Sequence, residues 1–202
     1  MTTENIVINR LANYIAQILI ANSKQKLDIA KIVYGLEIFI INFSKFLIIY
    51  GVSLLFRQLI KTLIIHFAFI LTKRYSFGIH AKSSTVCTLY CLTILVFIPY
   101  ILIHYFINNY LTLLIFTIII SIHYKYAPAD TVNNPIIGRE NRIKLKVKSI
   151  VCVFSLALIT LCITNSNIRN LLILGSVFQT ISLLPITYKI LKRRRNNYEI
   201  YE

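Results

Sequence analysis

Apolar residues along this chain come in long blocks separated by short polar stretches, and the blocks are close to the roughly 20 residues a helix needs to cross a bilayer. They run over 32–56, 59–71, 86–107, 110–124, 147–164 and 168–190. The second is short, carries Lys61 and is parted from the first only by Arg57 and Gln58, so a tilted or re-entrant pair is an alternative to two full crossings. The pattern predicts an all-α, polytopic integral membrane protein of about six transmembrane helices. Before them, Ile8, Leu11, Tyr14, Ile15, Ile18 and Leu19 share one helical face and Asn9, Arg10, Asn13 and Gln17 the other. This predicts an amphipathic helix within residues 1–30 lying in the membrane interface. It has neither the basic start nor the small-residue cleavage site of a signal peptide. No repeat or low-complexity linker divides the chain, and a single domain over 1–202 is expected.

Composition sharpens the same picture. Of the 202 residues 57% are hydrophobic and only 14% charged, more apolar surface than a soluble fold of this size can bury. Lys45 and Glu37 lie inside the first block and are expected to face protein or water. Lys and Arg give the orientation. Residues at block edges being counted with the adjoining connection, 18 fall in alternate segments that include both termini, against three in the others. Basic connections stay cytoplasmic, so both termini are expected inside, with cytoplasmic loops at 72–85 and 125–146. This bias and attraction to anionic lipid account for the net charge of +15 without any nucleic-acid partner.

The 72–85 loop holds the chemistry. His80 and Cys87 are seven residues apart, which on one helix would leave them about 10 Å apart along its axis. For the two to meet, the chain around His80 must fold over the start of the next helix. Gly78 breaks the pattern before His80, and Ser83 or Ser84 is a suitable N-cap, which puts Cys87 in the first helical turn. There the unpaired N–H groups and the helix dipole favour a thiolate and offer donors to an oxyanion. An imidazole nearby can take the thiol proton and later protonate a leaving amine. These are the parts of a cysteine peptidase. A structural role for the pair is the alternative, and a zinc site from His80, Cys87 and Cys91 is disfavoured by having three ligands at most. A disulfide between Cys87 and Cys91 is disfavoured on the reducing side of a membrane. Cys152 and Cys162 fit as small buried hydrophobes, and His66 and His104 as packing or interfacial residues. His123, at the end of the fourth block, is a second candidate base. Beyond it "YAPADTVNNPI" reads as a stiff, turn-rich loop beside the basic run "GRENRIKLKVK", a surface suited to an acidic peptide.

The order "KRYSFGIHAKSSTVC", "YAPADTVNNPI", "ISLLPITYKI" over nearly the whole chain resembles the accessory gene regulator protein B family, bacterial membrane cysteine endopeptidases of quorum sensing. The resemblance implies cleavage of the C-terminal tail from a small amphipathic propeptide. The peptide would be held as a thioester on Cys87 with His80 as base, and a peptide cysteine would then close a thiolactone ring. It further implies a location in the bacterial cytoplasmic membrane, a homodimer, an acidic tail on the propeptide, and no metal or cofactor. Supporting roles fall to Arg74, Gly78, Ser84 and Glu37, and substrate contacts to Lys73, Asp130 and Pro135. Two departures stand out. Val132, Asn133 and Asn134 occupy positions where other members carry lysines, and Lys82 stands where some have proline. A non-catalytic carrier or exporter of a signalling peptide is the alternative function.

Overall fold

A computed structural model describes residues 3–21, 28–79, 84–102, 107–132 and 135–202. Among the described residues the chain is helical, with α1 (Thr3–Ala21), α2 (Ile29–Leu55), α3 (Leu59–Ser76), α4 (Ser84–Leu92), α5 (Ile98–Leu102), α6 (Asn109–Tyr126), α7 (Arg139–Cys162), α8 (Ser166–Ile181) and α9 (Pro185–Ile190). A π turn over Thr93–Phe97 joins α4 to α5, and a 3₁₀ turn over Asn197–Ile200 ends the chain. Among the described residues three helices are long and apolar enough to cross a membrane: α2, the α4–π–α5 run and α7. The chain divides into two compact units, residues 1–51 and 52–202.

In the first unit, α1 is helical as its pattern predicts, with Ala12 and Ala16 fully buried and Leu11, Tyr14, Ile18 and Leu19 exposed. Asn9 donates its Nδ2 hydrogen to Glu37 on α2, so this carboxylate, set within an apolar helix, has a polar partner.

In the second unit, α3, α6, α7 and α8 pack around Ala68, Phe116, Ile119, Val153, Leu156, Ala157, Leu172 and Ile173. The closest crossing is α3 on α8, and Gly175 permits it. A Cβ there would lie 2.4 Å from the Ile65 carbonyl oxygen and 2.9 Å from the Ala68 Cβ. Small residues at a helix crossing are how membrane bundles gain packing, because lipid supplies no hydrophobic drive between helices. The π turn has a local cause. Pro99 has no N–H for the Leu95 carbonyl, so the helix widens and Thr62 of α3 donates its hydroxyl to that oxygen at 3.2 Å.

Three expected boundaries move. The helix before the His80 loop continues to Ser76, so the loop begins at 77 rather than 72. Thr72 and Ser76 return their hydroxyls to the Ala68 and Thr72 carbonyls at 2.8 and 2.7 Å, and Lys73 and Arg74 sit in the last turn, where cations favour the helix dipole. The basic run expected as loop is helical from Arg139, after Gly138 turns the chain at φ +91°. The last apolar block, 168–190, is broken between α8 and α9. Pro185 drives Leu184 into extended backbone, and the Ile181 carbonyl, which the proline nitrogen cannot serve, accepts from the Leu184 N–H at 3.2 Å and the Thr187 hydroxyl at 2.6 Å.

Gly175→Val drives two methyl groups into the α3 backbone. It is expected to lower the melting temperature in detergent by about 5 °C or more, as overpacking of about 2 kcal/mol implies. Gly51→Ala, where a Cβ meets nothing within 4 Å, serves as the control and should leave it unchanged.

Candidate functional site

The three sequence stretches that carry the family resemblance converge on one backbone turn. After α3 the chain passes through Phe77 at φ 58°, ψ −118° and Gly78 at φ +107°. Positive φ is costly for a bulky residue and persists only when neighbours over-determine it. Here they do. The Phe77 N–H donates to the Lys73 carbonyl at 2.9 Å, and its own carbonyl accepts from Gln179 Nε2 at 2.6 Å. Gly78 N–H donates to the Ala129 carbonyl at 2.9 Å, while Ala129 N–H returns a bond of 2.9 Å to Ser76, closing a parallel bridge. Ile79 N–H then reaches the Ser182 carbonyl at 3.3 Å. No side chain fits at Gly78, since a Cβ would lie 2.4 Å from Ser182 Oγ. The turn is thus held by the Ala-Pro-Ala loop on one side and the α8–α9 break on the other. Buried Ile79, Ala127, Ala129, Leu183 and Tyr188 close over it.

Cys87 is the fourth residue of α4, half-buried, and all four cysteines are thiols. The first helical turn expected for it is the turn it occupies. Ser84 is exposed at the helix start, where its carbonyl accepts from Thr88 Oγ1 at 3.0 Å. His80, with Lys82 and Ser83, lies outside the described residues, as do His104, Asn133 and Asn134. Arg74 is exposed with its guanidinium 5.7 Å from the Tyr75 ring, and half-buried Lys73 sits 5.3 Å from the Phe69 ring. Pro135 is half-buried before α7. Glu37 belongs to the first compact unit.

His123, a candidate base in the sequence, is a core residue. It has no exposed surface, and its Nδ1 lies 2.8 Å from Ser149 Oγ and its Nε2 3.3 Å from Thr180 Oγ1. It ties α6 to α7 and α8. Burial satisfied by two hydroxyls is what a polar side chain in a membrane bundle requires. Gln179 is the residue that sequence reasoning missed. It is fully buried on α8 and gives its amide hydrogens to Phe77 and, at 3.1 Å, to Ser76 Oγ. A glutamine within an apolar block was the available signal.

Asp130 is also buried, and its carboxylate is taken by the chain itself. The Tyr198 N–H donates to it at 3.0 Å and Asn197 Nδ2 at 3.4 Å, while Tyr188 donates its hydroxyl to the Asp130 carbonyl at 2.9 Å. The C-terminal segment therefore lies along the Tyr126–Asp130 loop, and Arg195 adds a bond of 2.9 Å to the Tyr126 carbonyl. It ends in a clasp. Glu202 accepts from Arg142 through both oxygens, at 2.6 and 3.0 Å, and from the Gly138 N–H at 2.7 Å. The Arg142 side-chain bond first, and the Gly138 N–H second, hold the Glu202 carboxyl below its usual range.

The family model of accessory gene regulator B matches residues 8–183. An AgrB-like protein of Listeria innocua is 42% identical over 195 residues, covering 95% of this chain and 96% of its own length. One of Clostridium acetobutylicum is 36% identical over 203 residues, covering 100% and 97%. The accessory gene regulator protein B of Staphylococcus intermedius is 32% identical over 160 residues, covering 79% and 84%. No solved structure matches.

Gln179→Leu leaves the Phe77 carbonyl and the Ser76 hydroxyl without that donor, a loss of about 1–3 kcal/mol. Hydrogen exchange read by mass spectrometry should show Gly78 and Ala129 deprotected while α6 and α7 keep their protection. Because the Glu202 carboxyl is depressed, the clasp contributes above its ordinary range and is lost only as pH falls through the lower value. Protection factors at residues 197–202, corrected for the intrinsic pH dependence of exchange, should therefore be the same at pH 7 and pH 5 and fall when pH is taken well below 4.5.

Proposed function

As a chain that belongs to the accessory gene regulator B family and so to agr quorum sensing, this protein is, we propose, a membrane cysteine endopeptidase of the signalling propeptide. The observation that carries the reading is the clamped Phe77–Gly78 turn, which delivers the chain toward His80 immediately before the helix whose first turn holds Cys87. A base and a nucleophile on separate elements need such a rigid turn, because misplacement by about 1 Å costs on the order of 100-fold in rate.

In the proposed reaction His80 takes the proton of the Cys87 thiol, and the sulfur attacks the carbonyl at the propeptide's cleavage point. The oxyanion that forms is met by unpaired N–H groups at the start of α4. His80 returns its proton to the leaving amine, the C-terminal tail departs, and the rest of the peptide stays as a thioester on Cys87. A thioester keeps enough of the bond's reactivity for a thiol of the same peptide to displace Cys87 and close a thiolactone. A site at the membrane edge favours this exchange by excluding water. The proposal includes an amphipathic propeptide with an acidic tail, six crossings with both termini cytoplasmic, and a homodimer. Lys73 and Pro135 border the peptide path, and Arg74 has a supporting role. Asp130, engaged by the C-terminal segment, supports the loop from within.

Cys87→Ser and Cys87→Ala are expected to abolish tail release, by at least about 1000-fold, in liposomes supplied with the propeptide, with unchanged insertion. His80→Ala should fold and lose cleavage similarly. Full release by Cys87→Ala would contradict the peptidase reading and leave a carrier of the peptide in its place.

A further inference from the structure

The clasp at the C-terminus has the form of a receptor with a ligand in it. Arg142 is held by more than that carboxylate, since its guanidinium donates to the Ile136 carbonyl at 3.2 Å and stacks 3.9 Å from the Tyr198 ring. Gly138, at φ +91°, presents its N–H beside that fork. Together they give three donors to one carboxylate, the fork-to-fork geometry that distinguishes a carboxylate from a neutral amide. Around the seat, residues 139–148 carry Arg139, Arg142, Lys144, Lys146 and Lys148 against a single acid, Glu140. Such a field draws acidic chains.

The occupant is weakly held at its own end. The side chains of Arg142 and Glu202 keep 20% and 35% of their surface in solvent, which screens the pair and weakens it. Asp130 and Arg195 anchor the segment further back, so Glu202 can leave the seat while residues 195–198 stay docked. The loop that anchors the segment at Asp130 also reaches the site already described, since its Ala129 forms the bridge to Phe77.

We propose that Arg142 and the Gly138 N–H form a docking seat for an acidic side chain of the substrate peptide, and that Glu202 fills it in cis, so the chain's own C-terminal segment competes with substrate. This rests on the peptidase reading for the substrate's identity, but the seat itself is tested by binding alone. The protein is used full-length in nanodiscs of zwitterionic lipid, which removes anionic headgroups as rival occupants. The probe is a fluorescent propeptide with its acidic tail, and a second copy with every tail acid changed to amide.

On a Cys87→Ser background, Glu202→Gln should tighten binding of the acidic probe about 3- to 10-fold and leave the amide probe unchanged. Arg142→Gln should weaken the acidic probe to the level of the amide probe and cancel the effect of Glu202→Gln. With Cys87 present, Glu202→Gln should lower KM by the same factor at constant kcat. Equal binding of both probes by Glu202→Gln, or weaker binding of the acidic probe than by wild type, would overturn the seat. Failure of the Cys87 protein to cleave either probe would instead overturn the peptidase reading, while the binding comparison still decides the seat.

Discussion

Everything near the candidate site depends on one backbone constraint, the left-handed passage through Phe77 and Gly78. A phenylalanine at φ 58° is unfavourable by itself, and five hydrogen bonds hold the turn, one within α3 and four to the Tyr126–Asp130 loop, α8 and the α8–α9 break. The absence of a Cβ at 78 leaves room for the Ser182 Oγ and the Gln179 amide beside the turn. The turn thereby reads out the state of α8, of the α8–α9 break and of the Tyr126–Asp130 loop at once. The turn at 77–79 gains its rigidity from this convergence.

The same economy runs through the bundle. Thr62, Thr72, Ser76, Ser149, Thr160, Ser176 and Thr180 are all buried, and most of their hydroxyls return to a helix carbonyl within the same helix. His123 and Gln179 do more, linking helices. Apolar packing around Phe116, Val153 and Leu156 gives the bundle its bulk, while these few polar links fix which rotation of each helix faces the site.

The helical class and most helix positions were legible because apolar blocks of membrane length have few other readings. The boundaries that moved did so for local reasons that hydropathy does not register: hydroxyls that extend α3, Gly138 starting a basic helix, and Pro185 dividing an apolar block. Cys87 in a first helical turn was readable from Ser84 and the spacing. The clamp was not, because its main partners, the Gln179 amide and the backbone of Ala129 and Ser182, lie about 50 or more residues from Phe77. His123 misled as a base because a histidine at a helix end and one in a core look alike until its two hydroxyl partners are in view.

The most direct test of the central claim is to quench a reaction of wild-type protein and propeptide within seconds and map the modified peptide of the enzyme by mass spectrometry. The account predicts a thioester on Cys87, of mass equal to the propeptide without its tail, that hydroxylamine removes. Tail release with no adduct on Cys87 at any quench time, or an adduct on another residue, would contradict it.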